Sequence, residues 1–431
     1  MSTDRNSGLS VAARVIRTAS RTGSDRRLSG PVRLACGPGG RDYDPSVQTR
    51  PDVAIVGGGA IGVCCALELA RRGARVVLYE RGPAAASGCS AGNAGLICPS
   101  HSTPIANPAS LRNGLRWMWK RDSPFYLRPR PAVIPWLARF ALAARHSEAG
   151  AQVIRELSVA SLELHAELGA ELGTSFERTG TLNVYESHDG LEAEARAAAR
   201  SGLPFEVFDA DGTRELEPAL VGPMVGSVCY PTEGRVDPRR FVETVGAAAA
   251  AAGAEIRTGA EIRSLADLDA GTVVVAAGAW SKQLVRLPLE GGKGYHVDYA
   301  RSDEDPRIPA WVQETWTIAT PLPDRLRLSG TLELAGLDLS IAQSRVEKIR
   351  EGGERWFRGL SSRPVLETWA GLRPCLPDGL PAIGRLGGIV VATGHAMKGV
   401  ALAPVTGRLV AQLVAGEASD HDLAPFRPDR F

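Results

Sequence analysis

Long apolar runs are missing from this chain: nowhere does it approach the roughly 18 consecutive apolar residues of a bilayer span, which excludes a transmembrane helix. An excess of one charge is missing too. Fifty Lys and Arg against 48 Asp and Glu leave no global electrostatic case for a nucleic-acid partner. Cysteines are few and unorganised: Cys36, Cys64, Cys65, Cys89, Cys98, Cys229 and Cys375 are odd in number and show no metal-ligand spacing. No metal site is implied, and a reducing, cytoplasmic compartment is the simpler reading. Residues 1–50 lack apolar periodicity; Arg26-Arg27 resembles a twin-arginine export signal and Leu34-Ala35-Cys36 a lipoprotein cleavage site, yet neither has the apolar h-region that export needs. This segment reads as a disordered leader or as the product of a start codon placed too far upstream. What remains is long enough for two domains, and 44% hydrophobic composition can fill their cores.

The organising stretch is Asp52 to Glu80, DVAIVGGGAIGVCCALELARRGARVVLYE. Val53 to Val56 has strand length, three glycines leave room only for a turn, Ala60 to Arg72 carries helical apolar spacing ended by Gly73, and Val76 to Tyr79 is a second strand. Gly57, Gly59 and Gly62 occupy the three glycine positions of the dinucleotide fingerprint: tight turn, close approach of the backbone to a pyrophosphate, and close helix–strand packing. Free amides and the macrodipole at the helix N-terminus would receive the phosphates. Glu80, 18 residues after Gly62, would accept hydrogen bonds from adenosine ribose hydroxyls. The fingerprint alone serves NAD as well as FAD. A second strand, turn and helix unit (Ile389 to Ala392, Gly394-His395, Val405 to Leu413) lies far along the chain and favours the longer FAD.

Between the two units, RGPAAASGCSAGNAGLICPSH after Glu80 is a small-residue loop able to lie against a planar ligand. Residues 111–145 mix Trp117, Trp119, Phe125, Tyr126, Trp136 and Phe140 with eight basic side chains and one acid. They suit an interfacial segment touching anionic lipid at the inner membrane face, or a docking partner. The competing reading packs the aromatics into the second domain, and prolines 124, 129, 131 and 135 favour it by breaking any long amphipathic helix. Helical spacing from Gln152 to Leu172 precedes a strand at Gly180 to Tyr185. Asp237 and Pro238 open a helix as N-cap and first residue, and short strands follow at Glu255 to Arg257 and Glu261 to Ser264. GTVVVAAGAW (271–280) returns the chain to the first sheet. Strand-like runs between 285 and 367, with one helix at Ser340 to Phe357, predict an inserted antiparallel sheet. The expected fold is α/β, a Rossmann-type domain (51–100, 225–284, 368–426), with an α+β second domain (101–224, 285–367).

The fingerprint, the loop SGCSAGNAGLICPSH, VVVAAGAW, WAGLRPCLPDGLPAIG and GHAMKGVALAPVTG occur in the order found in the flavin-dependent amine and amino-acid oxidoreductases of the D-amino-acid oxidase type, which the chain resembles over roughly 52–415. Within that family Asn93 to His101, Ser123-Pro-Phe-Tyr and ETWTIATPLPDRLRLSGTLEL are most similar to the bacterial D-amino-acid dehydrogenase branch, hydroxyproline-oxidising members included. The resemblance implies FAD, its ADP part held by Gly57, Gly59, Ala60, Ile61, Gly62, Glu80 and Arg81, with Ile262, Ala277 and Gly278 nearby. Ser90, Asn93, Ala94 and Gly95, together with Gly394, His395, Met397, Lys398 and Gly399, would lie along the ribityl chain and ring. Arg373 fits the position that clamps the substrate carboxylate, where a guanidinium offers a bidentate fork; the alternative is a structural pair with an acid such as Glu367. Lys293, in Lys-Gly-Tyr, would face the flavin or be an exposed amine. His395 would touch the flavin or be only a turn residue. Ile318 stands where glycine-oxidase-like members place a tyrosine, which implies a more apolar pocket with Trp316 nearby.

The implied chemistry is hydride transfer from Cα to flavin N5, with the amine neutral and no protein nucleophile, positioning supplying most of the acceleration. Electrons would pass to a quinone or other carrier. Sarcosine-oxidase-like members tether flavin through a cysteine at a position that falls near Gly371 here, so non-covalent FAD is expected, with Cys375 a small apolar wall residue. Two rival readings stay open: an oxygen-using glycine- or sarcosine-type oxidase, and an inactive dinucleotide-binding partner protein.

Overall fold

The structure is a computed structural model that describes residues 50–108, 110–112, 125–128 and 130–431. The leader reading, and Trp117 and Trp119 of the basic aromatic segment, lie outside the described residues. The described residues belong to a single compact unit built on two large sheets, with a small two-stranded one beside them.

The first sheet runs in the order Ala382–Leu386, Ile389–Thr393, Thr272–Val275, Val53–Val56, Val76–Tyr79, Glu255–Arg257. All neighbours are parallel except the edge strand Ala382–Leu386. Its central strands are apolar on both faces because both are covered: Val53 and Ile55 lie under helices, and Ala54 and Val56 under Leu265, Val285, Leu289 and Leu376. Helix Ala60–Arg71 packs against Ala403–Ala415 and Pro238–Ala251. Cys64 and Cys65 are small apolar core residues at that seam, and a Cβ at Gly407 would overlap the Cys64 backbone, so glycine sets the helix–helix approach. Asp237 caps its helix as expected, accepting from the amides of Arg239 (3.0 Å) and Arg240 (3.1 Å).

The second sheet has nine strands and is mostly antiparallel. Its long centre is Glu290–Ala300 between Val365–Cys375 and Arg325–Leu334, followed by Thr317–Pro321, Ala310–Val312, Thr181–Tyr185, Gly226–Tyr230 and Glu206–Asp209, with Phe125–Leu127 joining Arg325–Leu334. Helix Gln343–Trp356 covers one face, seating Val346, Ile349 and Trp356. The opposite face carries Ser329, Ile318, Trp311 and Asn183, which line a cavity. The α/β reading and the inserted antiparallel sheet hold, with two differences. Gly226–Tyr230 and all of Val365–Cys375 belong to the second sheet, since both pair with its strands. Glu261 to Ser264 is not a strand: it pairs with no neighbour, and Glu261, Ile262 and Arg263 all border the cavity, with Ile262 the least exposed.

Candidate functional site

A cavity of about 1000 Å³ runs from the first glycine turn to the face of the second sheet. Gly57 begins it in the left-handed region (φ +113), and a Cβ there would overlap the Ala276 carbonyl. Gly62 meets the Gly57 carbonyl so closely that no side chain fits, which is the packing role expected of it. The helix's first i→i−4 bond runs from Val63 to Gly59 (3.0 Å). The amides ahead of it are donors for an outside group; that of Ala60 is taken by Ser90 Oγ (3.0 Å), Ile61 lines the cavity, and Gly62 does not, its part being the close packing on Gly57. Glu80 is buried and oriented by the amides of Gly58 (2.6 Å) and Gly82 (2.7 Å). Arg81 lies over the Trp280 ring, and Ile262, Ala277 and Gly278 complete this end.

The second glycine unit meets the small-residue loop further along. Asn93 donates to the Met397 carbonyl (3.2 Å) and accepts from the Gly95 amide (2.8 Å), tying loop to turn. His395, Met397, Lys398 and Gly399 line the cavity with Ala94. His395 Nε2 sits 3.0 Å from Thr406 Oγ1, and burial pushes its pKa down to about 3, so the ring is neutral. Burial likewise lowers Lys398 to about 8. Gly95 and Gly394 stand behind the wall, with positive φ and no room for a Cβ beside Val236 and Leu376.

The substrate-side residues sit on the second sheet. Arg373 extends from Val365–Cys375 across its neighbour to the carbonyl of Thr331 (3.0 Å), passing directly over Gly294, where a side chain would collide with the guanidinium. Burial lowers its pKa from the usual arginine value, and among the described residues it has no acidic partner. Glu367, the alternative partner, faces His296 instead (3.6 Å). Trp316 and Ile318 line the same space, and Trp316 and Thr331 both hold positive φ at its wall. Orphaned buried polar atoms (Ser329 Oγ, Thr331 Oγ1, Trp311 Nε1, Ser100 Oγ) belong to lining residues, which leaves hydrogen bonds for a ligand to make. Cys375 does not line the cavity: it is buried behind it in the cluster of Trp136, Phe140 and Leu334, its thiol pushed up to about 12 by burial.

Lys293 requires a correction. Its ammonium leaves the cavity side and is held by Asp338 (3.0 Å), the Ser340 carbonyl (2.9 Å) and Glu333 (3.6 Å), because the strand carries an irregularity between Lys293 and Tyr295 and those acids wait on the other face. Several residues escaped the sequence reading. Arg327, buried, pairs bidentately with Asp298 (2.8 and 2.8 Å) and donates to the carbonyls of Ala91 and Asn93 (2.8 Å each), fixing the small-residue loop. Trp369, stacked on His296, covers Gly92 and Gly371. His101, Asn183, Glu194 and Trp311 line the far end. His101, Arg327 and Trp369 lie inside stretches already quoted without being singled out, and Asn183, Glu194 and Trp311 lie in none; their roles follow from the pairing of distant strands. His296, Asp298 and Glu367 also converge within 4.8 Å, yet Arg327 and Arg325 already engage Asp298, a charge arrangement that opposes a cation.

Residues 52–413 match the family described as FAD dependent oxidoreductase. A D-amino acid dehydrogenase of Cereibacter sphaeroides is 31% identical over 88% of this chain and 95% of its own length. A D-amino-acid oxidase of Bradyrhizobium diazoefficiens is 32% identical over 88% and 98%. Among solved structures, glycine oxidase from Geobacillus kaustophilus shares the fold with a TM-score of 0.73, at 24% identity over 89% of this chain and 99% of that one.

Proposed function

The chain belongs to the family of FAD-dependent oxidoreductases, and from that premise we propose that it oxidatively deaminates D-amino acids, cyclic imino acids such as hydroxyproline included, and hands the electrons to a quinone or another carrier. The observation that carries this reading is Arg373: a half-buried guanidinium in the cavity wall with no acidic partner among the described residues. A substrate carboxylate would supply the missing charge, and the planar fork would hold it bidentately.

The residues present fit FAD. The cavity begins at the helix start of Gly59 to Ile61 beside Glu80, and reaches Asn93 and the 395–399 turn against the second sheet. Gly57, Gly59, Ala60, Ile61, Glu80 and Arg81 would hold the adenosine and pyrophosphate end. Ser90, Asn93, Ala94, His395, Met397, Lys398 and Gly399 would hold the other. FAD, when bound, supplies the two-electron oxidant. The chain's own share is placement: Arg373 fixes the carboxylate, Trp316, Ile318 and Trp369 exclude water from the side-chain space, and neutral His395 adds no charge that would hold the substrate amine protonated. The imine released from a primary amine then hydrolyses to a 2-oxo acid and ammonia, whereas that from a cyclic imino acid keeps its nitrogen in the chain and releases no ammonia. Non-covalent attachment is part of the proposal, since Gly371 stands at the tether position and acid precipitation should leave the colour in the supernatant.

Acceptance by a membrane quinone is supported by helix Ile134–Ala143, which exposes Ile134 and Leu142 beside Arg139. Among the described residues no helix is long and apolar enough to cross a membrane, so contact would be peripheral. Anaerobic mixing of the holoprotein with matched D- and L-amino acids should bleach the flavin with the D set or proline analogues. Bleaching by none of them sinks the substrate class. Hydrogen peroxide formed in step with substrate use would select oxygen as acceptor, as in the name of the Bradyrhizobium relative.

A further inference from the structure

Ser329, Ile318, Trp311 and Asn183 stand opposite one another on four adjacent strands and all line the cavity. The row begins near the Arg373 guanidinium, bound to Thr331 two residues along from Ser329. It ends under Glu194. This carboxylate, on helix His188–Ser201, is held by two donors on one oxygen, Asn183 Nδ2 (3.0 Å) and Tyr230 OH (2.7 Å). Tyr185 is a further hydrogen-bonding neighbour, so every group the carboxylate meets is a neutral donor, and among the described residues no Lys or Arg forms an ion pair with it. The other acid at this end, Glu233, is engaged by the Ser100 amide (2.6 Å) and Thr181 Oγ1 (2.5 Å), and it is the acidic neighbour of Lys398. Trp311 and Trp316 form an aromatic wall, ring centroids 6.4 Å apart at 68°, and His101 stands edge-on to Trp311 at 4.5 Å.

A carboxylate bonded to Asn183, whose strand partner Trp311 meets Trp316, offers a desolvated ammonium or guanidinium group both an acidic oxygen and aromatic faces. Length fits as well. Three inter-strand steps of about 4.8 Å put the two ends of the row roughly 14 Å apart. An extended lysine spans roughly 7–8 Å from carboxylate to terminal nitrogen, and contacts of about 3 Å at each end bring the total to roughly 13–14 Å.

We propose that Glu194, with Trp311 and Trp316, is the subsite for a cationic side-chain terminus, so that the preferred substrates are basic D-amino acids of lysine or arginine length. This rests on the deamination reading for the chemistry, while the binding itself can be tested without turnover. In calorimetry on the holoprotein, 6-aminohexanoate, which is lysine without its α-amine, should bind about tenfold or more tighter than hexanoate, one decade being about 1.4 kcal/mol. In Glu194→Gln, which keeps the shape and the bonds from Asn183 and Tyr230, the two acids should bind within about twofold of each other. The kcat/KM ratio of D-lysine to D-norleucine should fall by a similar factor, mainly through KM. Equal binding of the two acids by the wild-type protein, or a preference that survives Glu194→Gln, overturns the subsite. Intact discrimination without oxidation of any D-amino acid would instead sink the deamination reading and leave the cation subsite standing.

Discussion

Gly294→Ala tests the site through a single added methyl. The new Cβ would lie 2.2 Å from Arg373 Nη1, 2.3 Å from Cζ and 2.4 Å from Nη2, where ordinary contact needs about 3.4 Å or more, so the guanidinium must move by about 1 Å. The displaced group is the end of a flexible side chain, and the cost to folding is therefore small. The cost to chemistry is not: the 3.0 Å bond to the Thr331 carbonyl is lost, and a misplacement of about 1 Å at a positioning group is worth about 100-fold in rate. The assay is anaerobic flavin reduction by the best D-amino acid, alongside flavin content and reduction by dithionite. We expect kcat/KM down about 100-fold with full flavin loading. A value within threefold of wild type would show that the carboxylate is not held where Arg373 lies.

Arg327→Leu removes the two donors that fix the Ala91 and Asn93 carbonyls and takes one of two arginines from buried Asp298. Breaking a buried pair costs about 3 kcal/mol or more, and the FAD dissociation constant should rise with it; lowered stability with unchanged FAD affinity would make Arg327 merely structural. His165 and His395 are held neutral by burial, at about 4 and about 3, against about 6.5 when unfolded. The unfolded chain therefore binds protons that the folded one refuses, and stability is fully present above pH 6.5 and falls as pH drops toward those values. At pH 5 each costs roughly 2 kcal/mol. Urea unfolding at pH 7 and 5 should show a penalty about 2 kcal/mol smaller in His165→Gln, and an unchanged penalty would refute the assignment.

The first half of the site was legible because its signals are local. Gly57, Gly59 and Gly62 are set by a turn and a helix start within a few residues, Glu80 by the length of one βαβ unit, and the helix at 238 by its own cap. Arg373 was legible through family resemblance, but its lack of an acid is visible only when strands meet, since Glu367 on the same strand turns to His296. Lys293 was misjudged for the same reason, as its partners come from residues 333, 338 and 340 across an irregular pairing. Glu194 sits in an Ala- and Glu-rich helix that reads as solvated surface. Only the arrival of Asn183 and Tyr230 from two other segments turns it into the cavity. Glu261 to Ser264 shows the converse, where strand-like alternation has no strand beside it.

The account turns on a desolvated guanidinium waiting for a carboxylate. Two charge-assisted hydrogen bonds of about 1.5–3 kcal/mol each put the expected loss at roughly 10²–10⁴ in kcat/KM. Arg373→Leu removes them and, because the half-buried guanidinium has no acidic partner among the described residues to strand, should leave folding and flavin content intact. The measurement is kcat/KM of this variant for a D-amino acid and for the corresponding amine without its carboxylate: the account predicts that loss for the acid alone. An undiminished rate with the acid, or an equal fall for both, would contradict it.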